Sequence, residues 1–237
     1  MIAVAEEPVQ AVNGRPMPVD KVEPRVDSRI VLNAVDWEDY TKFLEAGGKR
    51  RIRFTYDRGT LEIMTVSNIH EWWKTRIALL IRYLCVYIDI EIQGCGNTTL
   101  RRRDLERGIE PDEGLYVRST PILGPKNIDL QKDPPPNLGI EIDISSSSLD
   151  RQSIYAALRV AEIWRFDGDT ILVYRLNTEG GYEVVTQSGH FPMLPMDEFQ
   201  SFLLETKDLG ETKLFHQFQK WLQAHIKREE RPGQDAN

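Results

Sequence analysis

Three carboxylates in the sequence have the residue types and the spacing to hold a divalent metal ion. Glu141 and Asp143 lie in the segment GIEIDI, whose alternation of apolar and acidic residues is typical of a strand with one buried face. Alternate side chains of a strand point to the same face, so two like charges lie together there and oppose each other's ionisation. Asp112 follows Pro111 and precedes a second apolar segment, EGLYV. If these two strands are neighbours, all three carboxylates meet at one edge of a sheet.

Carboxylates in this arrangement suit Mg²⁺ or Mn²⁺, which bind oxygen ligands and complete their shell with water. Such an ion would offset the repulsion between the carboxylates, activate a water molecule and stabilise negative charge that develops on phosphorus. Neutralising one carboxylate should then raise the stability of the metal-free protein. The spacing leaves a second interpretation open, in which Glu141 and Asp143 face solvent and Asp112 caps a turn.

A succession of helices and strands would position these residues. Apolar residues at helical spacing predict helices over 36–46, 70–88 and 149–161, followed by one or two helices after Pro195. Alternation around an Asp-Arg-Gly turn predicts a hairpin over 51–64. Further strands are predicted at 90–93, 97–102, 113–117, 138–144, 162–167, 170–176 and 182–187.

This order of elements predicts an α/β or α+β fold with one domain over residues 26–227. Its core would occupy about 50–187, and its C-terminal helices about 195–227. Residues 1–25 contain prolines without apolar periodicity and are predicted to form a disordered arm. Residues 228–237 are predicted to be a flexible tail.

Composition narrows the class of protein. The chain has 237 residues, 41% of them hydrophobic, and a formal net charge of −7, which argues against a protein that coats DNA non-specifically. Cys85 and Cys95 are the two cysteines, too few for a disulfide framework, so a reducing cytoplasm is expected. No apolar run approaches the length of a membrane span, and GCGNTT at 94–99 lacks the third glycine of a dinucleotide-binding loop. We therefore expect neither a membrane partner nor an organic cofactor.

The motifs in this order resemble a known nuclease family. Pro111-Asp112 followed by Glu141-Ile142-Asp143 resembles the PD-(D/E)XK nuclease signature, with Asp143 where the lysine would stand. The chain more specifically resembles the Uma-two family of bacterial restriction-endonuclease-like proteins. The matching residues run from about 50 to 180 and are Gly59, Leu61, Met64, His70, Pro111, Asp112, Glu141, the serines at 145–148, Tyr155, Val160, Glu162, Trp164 and Asp167.

This resemblance implies a restriction-endonuclease-like core, in which helices flank a central mixed sheet. It implies a metal-dependent endonuclease that hydrolyses DNA, with Asp112, Glu141 and Asp143 binding Mg²⁺ or Mn²⁺, and a homodimer that would supply one site for each strand. Arg151 stands where relatives often carry a lysine four residues before the helix tyrosine. Arginine stays protonated, so Arg151 would offset charge on the phosphate and would not act as a base.

The missing lysine keeps a second class of function open, namely a catalytically inactive module of the same fold that binds or regulates. RNA or a small phosphodiester remains an alternative substrate. Two further residues are candidates: Glu62 as another metal ligand or an exposed strand position, and His70 as a general base or a helix cap. Two basic clusters, at 49–53 and 101–107, would either contact phosphates or form solvated loops.

Overall fold

The computed structural model of the protein describes residues 27–47, 52–118, 127–144 and 149–226. The predicted N-terminal arm, the predicted tail, the basic residues 49–51 and the serines at 145–148 lie outside these ranges. The division into domains accordingly stays a prediction.

Helices and strands follow one another largely as the hydrophobic patterns predict. The α-helices are α1 (Trp37–Gly47), α2 (Asn68–Tyr87), α3 (Arg151–Ala157), α4 (Met196–Glu205) and α5 (Glu211–His225). The strands are β1 (Ser28–Leu32), β2 (Ile52–Asp57), β3 (Thr60–Thr65), β4 (Ile92–Gly96), β5 (Leu100–Arg102), β6 (Arg107–Ile109), β7 (Glu113–Val117), β8 (Leu138–Ile142), β9 (Glu162–Phe166), β10 (Ile171–Leu176) and β11 (Tyr182–Val185).

The strands form two sheets. The first has five antiparallel strands in the order β1-β3-β2-β6-β5, and the second has six in the order β11-β10-β9-β8-β7-β4. Within the second sheet β8 and β9 pair in parallel, whereas the other recorded pairs are antiparallel. The parallel pair is joined through α3, because a parallel connection needs a crossover. The predicted mixed α/β fold is confirmed; the separate first sheet and its strands β1 and β6 were not predicted.

The hairpin of β2 and β3 turns as the sequence predicts. Arg58 and Gly59 both have positive φ, 43° and 92°, which is the conformation of a two-residue type I′ turn. Glycine adopts this conformation without strain. The turn fixes the register that places Thr55 opposite Glu62.

The main core lies between the second sheet and helices α2, α4 and α5. From α2 it contains the predicted stripe of Trp73, Ile77, Leu80, Ile81 and Leu84. From α5 it contains Leu214, Phe218 and Leu222, so the predicted C-terminal stripe packs on the protein's own core. Among the described residues, no helix combines the length and apolarity needed to cross a membrane.

Candidate active site

Asp112 is buried where β7 meets β8. These strands pair antiparallel with Glu113 opposite Ile140, so one further step along the ladder brings Asp112 beside Glu141. Oδ2 of Asp112 accepts a 2.8 Å hydrogen bond from the backbone N–H of Ile142. The two predicted strands are therefore neighbours, and two of the three predicted carboxylates come together.

The carboxylate of Glu141 points away from the main core and towards α3. Its neighbours Ile140 and Ile142 are buried in the core, and alternation places Glu141 on the opposite face. Oε2 of Glu141 lies 2.7 Å from Nη2 of Arg151, and Oε1 accepts a hydrogen bond from the hydroxyl of Tyr155. Because Arg151 and Tyr155 are four residues apart, they lie on one face of α3. One helix face thus supplies both partners of Glu141.

Arg151 joins the two sheets through its guanidinium group. Nη1 donates a 2.9 Å hydrogen bond to Oγ1 of Thr55, on β2, and lies 3.9 Å from Oε1 of Glu62, on β3. Nη2 also donates to the backbone oxygen of Glu110 at 3.3 Å. Burial lowers the pKa of Arg151, but the charge of Glu141 raises that pKa, and the net result is a pKa above the ordinary value. Arg151 therefore stays charged and cannot accept a proton as a base.

Asp143 pairs with a different set of arginines. Its Oδ2 accepts hydrogen bonds from Nη2 and Nε of Arg165, on β9, at 2.7 and 3.0 Å. Its Oδ1 lies 3.4 Å from Nη2 of Arg29, on β1. The like charges of Glu141 and Asp143 are thus each balanced by arginine. Within the described ranges no three His, Cys, Asp or Glu side chains are grouped so that they could hold a metal ion, and a ligand role for Asp143 stays a prediction.

His70 lies between two carboxylates at the N-terminus of α2. Its Nε2 is 2.8 Å from Oδ1 of Asp112, and its Nδ1 is 3.1 Å from Oδ2 of Asp27. Ser67 caps the helix by accepting a hydrogen bond from the backbone N–H of His70. Burial lowers the pKa of His70, but the two carboxylates raise it to about 9. At neutral pH His70 is a buried cation, which does not suit the general-base role considered from the sequence.

The two central carboxylates have pKa values that are shifted in opposite directions. Burial raises the pKa of Asp112, but the close contact and the charge of His70 lower it below its ordinary value. Burial raises the pKa of Glu141; Arg151 opposes this shift, and the negative charge of Asp112 adds to it. Two neighbouring carboxylates whose pKa values are shifted in opposite directions are typical of acid–base sites.

Three further charged residues complete the cluster. Glu62 is buried, with Nη1 of Arg29 at 3.1 Å from its Oε1, so its interpretation as an exposed strand position is wrong. Arg53 is buried as well, with Nη2 3.0 Å from Oε1 of Glu71 and Nε 4.0 Å from Oδ1 of Asp112. Asp27 also accepts a 2.7 Å hydrogen bond from the backbone N–H of Ser67.

The first basic cluster contributes an arginine to the buried site, whereas arginines of the second form ion pairs elsewhere. In the first cluster, Arg53 is part of the buried site, which neither of the two interpretations from the sequence predicted. In the second cluster, Arg102 pairs with Asp104, and Arg103 pairs with Glu38. Arg107 pairs with Asp57 and donates to the backbone oxygen of Ser153. These arginines thus have acidic partners within the protein, but Arg102 and Arg107 lie on strands and not in solvated loops.

The mixed α/β fold, in which Asp112 immediately precedes β7 and lies beside Glu141 on β8, is compatible with a restriction-endonuclease-like fold. The sequence model of the Uma2 family, described as "Putative restriction endonuclease", matches residues 37–206. The chain belongs to the Uma2 family, as its motifs predict. A search of curated proteins finds no match to the chain.

Proposed function

We propose that this protein is a metal-dependent endonuclease that hydrolyses phosphodiester bonds of DNA. The observation that carries the proposal is that Asp112, immediately before β7, lies beside Glu141 on the neighbouring strand β8, within a matched nuclease family. The carboxylate of Asp112 accepts one backbone hydrogen bond from β8, whereas the carboxylate of Glu141 takes no part in strand pairing, which uses the backbone. Burying two adjacent carboxylates is costly, and a catalytic role accounts for that cost.

The donor set around Asp112 suits Mg²⁺ or Mn²⁺. Oδ1 of Asp112 is buried and lacks an aligned hydrogen bond, although His70 and Arg53 lie near it. An oxygen without an aligned hydrogen bond, beside a second carboxylate, is the kind of ligand that these ions select, although the ion would have to share that oxygen with the cation of His70, which lies 2.8 Å away. Asp112 and Glu141 would hold the ion, with Asp143 as a third ligand or an orienting group. Oε2 of Glu141 contacts Arg151, so Arg151 would have to withdraw from that oxygen.

Each neighbouring residue has a role in such a site. When bound, the ion supplies positive charge to the phosphoryl oxygens and lowers the pKa of water. His70 keeps Asp112 ionised, and Tyr155 orients Glu141 through its hydroxyl. Arg151, once it has moved from Glu141, donates hydrogen bonds to the phosphate, for which a guanidinium group is well suited.

A second candidate function rests on the same contact between Arg151 and Glu141. A permanently charged arginine already neutralises the carboxylate that would bind metal, as expected of a module that has kept the fold and lost the chemistry. In this case the protein would bind or regulate without cleaving. Nicking of supercoiled plasmid by the parent protein with Mg²⁺, Mn²⁺ or EDTA separates the two functions. The endonuclease requires metal-dependent nicking that Asp112→Ala removes; the inactive module gives none.

The proposal also covers the oligomeric state, the cellular compartment and the alternative substrate. Cutting both strands of a duplex needs two sites, which a homodimer would supply. Cys85 and Cys95 are free, which is compatible with the reducing cytoplasm expected from the sequence. Single-stranded RNA in place of plasmid tests the alternative substrate.

A further inference from the structure

A cavity of about 230 Å³ opens beside the candidate active site, next to α3 and strands β8, β9 and β10. Glu141 and Arg151 line the cavity as well as the site. Its other walls combine aromatic, aliphatic, amide and charged side chains. Among these are Leu149, Gln152, Tyr155, Ile163, Arg165 and Tyr174. A group that enters this cavity would lie next to Glu141 and Asp143, two of the three carboxylates proposed as metal ligands, whereas Asp112 is buried and does not line the cavity.

The volume of the cavity limits what can enter it. Pockets for drug-sized ligands measure about 300–1,000 Å³, so a cavity of about 230 Å³ suits a smaller group. One water takes about 30 Å³ of liquid volume, so the cavity holds roughly eight non-hydrogen atoms, which is the size of one small nucleobase and about half of a base pair. The cavity therefore fits one nucleobase of a chain that runs past the site.

The charges of the lining residues favour a neutral group over a second phosphate. The carboxylates Glu141, Asp143 and Asp150 line the cavity, and so do the cations Arg151 and Arg165. Carboxylates outnumber guanidinium groups, and both arginines already pair with carboxylates. In the metal-free protein an additional anion would therefore meet net repulsion, whereas an uncharged base would not.

The uncharged lining residues match a base in chemistry. Ile163, Tyr155 and Tyr174 line the cavity with aliphatic and aromatic atoms, of the kind against which a ring packs; Tyr155 is almost fully buried behind its hydrogen bond to Glu141. Gln152 contributes an amide, which can donate and accept hydrogen bonds at once. The structure records no hydrogen bond for that amide with any residue that it describes. An amide beside aromatic surface is a common means of holding an unpaired base by its edge and its face.

We propose that this cavity binds a single unpaired nucleobase next to the phosphodiester that is cleaved. The inference rests on the proposed function and adds a substrate class to it. A base within a duplex is stacked and paired, so it reaches the cavity only from a single strand, from a mismatch or after rotation out of the helix. The protein therefore prefers DNA with an unpaired base at the site over fully paired DNA.

The test uses oligonucleotides with 2-aminopurine at one position, titrated with the parent protein and Ca²⁺ as the metal. Three forms are compared: single-stranded DNA, a duplex with a mismatch at the probe, and a fully paired duplex. We expect a change in 2-aminopurine fluorescence and at least about tenfold tighter binding for the first two forms, in line with the effect of stacking one base on aromatic side chains. Equal affinity for the three forms would overturn the inference.

Gln152→Trp fills the cavity from α3 and should weaken binding of the unpaired base about tenfold or more. Gln217→Trp makes the same change on α5, at an exposed position away from the cavity, and should bind as the parent does. If Gln152→Trp does not fold, as judged by circular dichroism, Gln152→Ala removes only the amide and should weaken binding about threefold.

The outcomes separate this inference from the proposed function. If the parent nicks plasmid with metal but neither Gln152 variant changes binding of the unpaired base, the inference is wrong and the endonuclease stands. If the parent neither binds nor cleaves any form of DNA, both are wrong. If binding follows the unpaired base and responds to Gln152 without any cleavage, the cavity is assigned to the inactive module.

Discussion

The guanidinium group of Arg151 lies 2.7 Å from Oε2 of Glu141, in a cluster that excludes most solvent. The two like charges of Glu141 and Asp143, at the end of β8, had suggested a metal ion as the balancing cation. In the structure the charge of Glu141 is balanced by Arg151, a side chain of α3, and any metal ion must share Glu141 with that arginine. The effect of replacing Arg151 therefore distinguishes a charge that assists cleavage from a charge that has replaced the metal.

Arg151→Lys should retain or raise nicking of supercoiled plasmid, because an ammonium group can fill the place that relatives give to lysine. Arg151→Ala should lower the nicking rate about 10²-fold or more, as does the loss of one preorganised donor to a transition state. Initial rates with Mg²⁺ and Mn²⁺ measure both effects. Arg103→Ala is the control, because Arg103 is an exposed arginine paired with Glu38. Full cleavage by Arg151→Ala would remove this residue from the mechanism.

Arg151→Ala should also destabilise the metal-free protein. Removing one partner of a buried ion pair leaves the other charge unbalanced and typically costs about 3–5 kcal/mol. Because burial and Asp112 raise the pKa of Glu141, protonation of Glu141 relieves part of that cost in acid. Urea unfolding of the parent and Arg151→Ala should show a larger gap at pH 8 than at pH 5. A gap that does not change with pH would mean that Glu141 is not the group left unbalanced.

His70 should make stability depend on pH in the alkaline range. Its pKa is raised from 6.5 to about 9 in the folded protein, so its contribution is complete below pH 6.5 and is lost as the pH rises through about 9. The full contribution is roughly 3 kcal/mol, since one pKa unit corresponds to about 1.4 kcal/mol. Urea unfolding between pH 6 and pH 10 should show this loss in the parent and not in His70→Gln. His216→Gln, at an exposed site, should follow the parent; parallel curves for the parent and His70→Gln would refute the buried cation.

The sequence predicted those parts of the site that depend on local patterns. Alternation in 138–144 and the apolar segment after Asp112 predicted the two strands that carry Asp112 and Glu141 to the site, but left their pairing as a condition. The four-residue spacing of Arg151 and Tyr155, within a predicted helix, also indicates that both lie on one face of that helix. The alternation of β2 contained a further signal, since Arg53 and Thr55 occupy the face opposite to Phe54 and Tyr56. Polar residues at those positions on a buried strand indicate a site.

Contacts between distant elements could not be predicted in this way. Asp143 pairs with Arg165 across the parallel pair of strands and with Arg29 on the other sheet. Asp27 reaches His70 from a segment that has no pattern of its own. Local periodicity fixes which face a side chain occupies, whereas the packing of the two sheets decides what that side chain meets. The first sheet itself depends on pairing between β1 and β3, which no local signal specifies.

Phe218→Ala should destabilise the protein by about 3–5 kcal/mol, the usual cost of removing a buried phenylalanine. Phe218 is fully buried in the main core, where it packs on Phe199 and Phe202. Thermal unfolding measures the loss, and Gln219→Ala on the exposed face of α5 should change stability by less than about 0.5 kcal/mol. Deletion of 211–237 should cause aggregation for the same reason. Unchanged melting of Phe218→Ala would contradict the packing of α5 on the core.

Mg²⁺ or Mn²⁺ at millimolar concentration should raise the melting temperature of the parent protein, because a ligand that binds only the native state stabilises it. Asp112→Asn should abolish this rise, since it removes the carboxylate whose Oδ1 lacks an aligned hydrogen bond.

The sequence alone suggested that neutralising one carboxylate would raise metal-free stability by relieving repulsion. The structure reverses that sign, because Asp112 faces the cation of His70 at 2.8 Å and its loss leaves His70 unbalanced. We therefore expect Asp112→Asn to melt below the parent without metal and to show no response to it. Asp104→Asn is the control: this exposed aspartate pairs with Arg102, and its variant should keep the full metal response. A parent protein whose melting ignores both ions would exclude a metal site at Asp112 and Glu141, and it would leave Arg151 as the cation that balances Glu141.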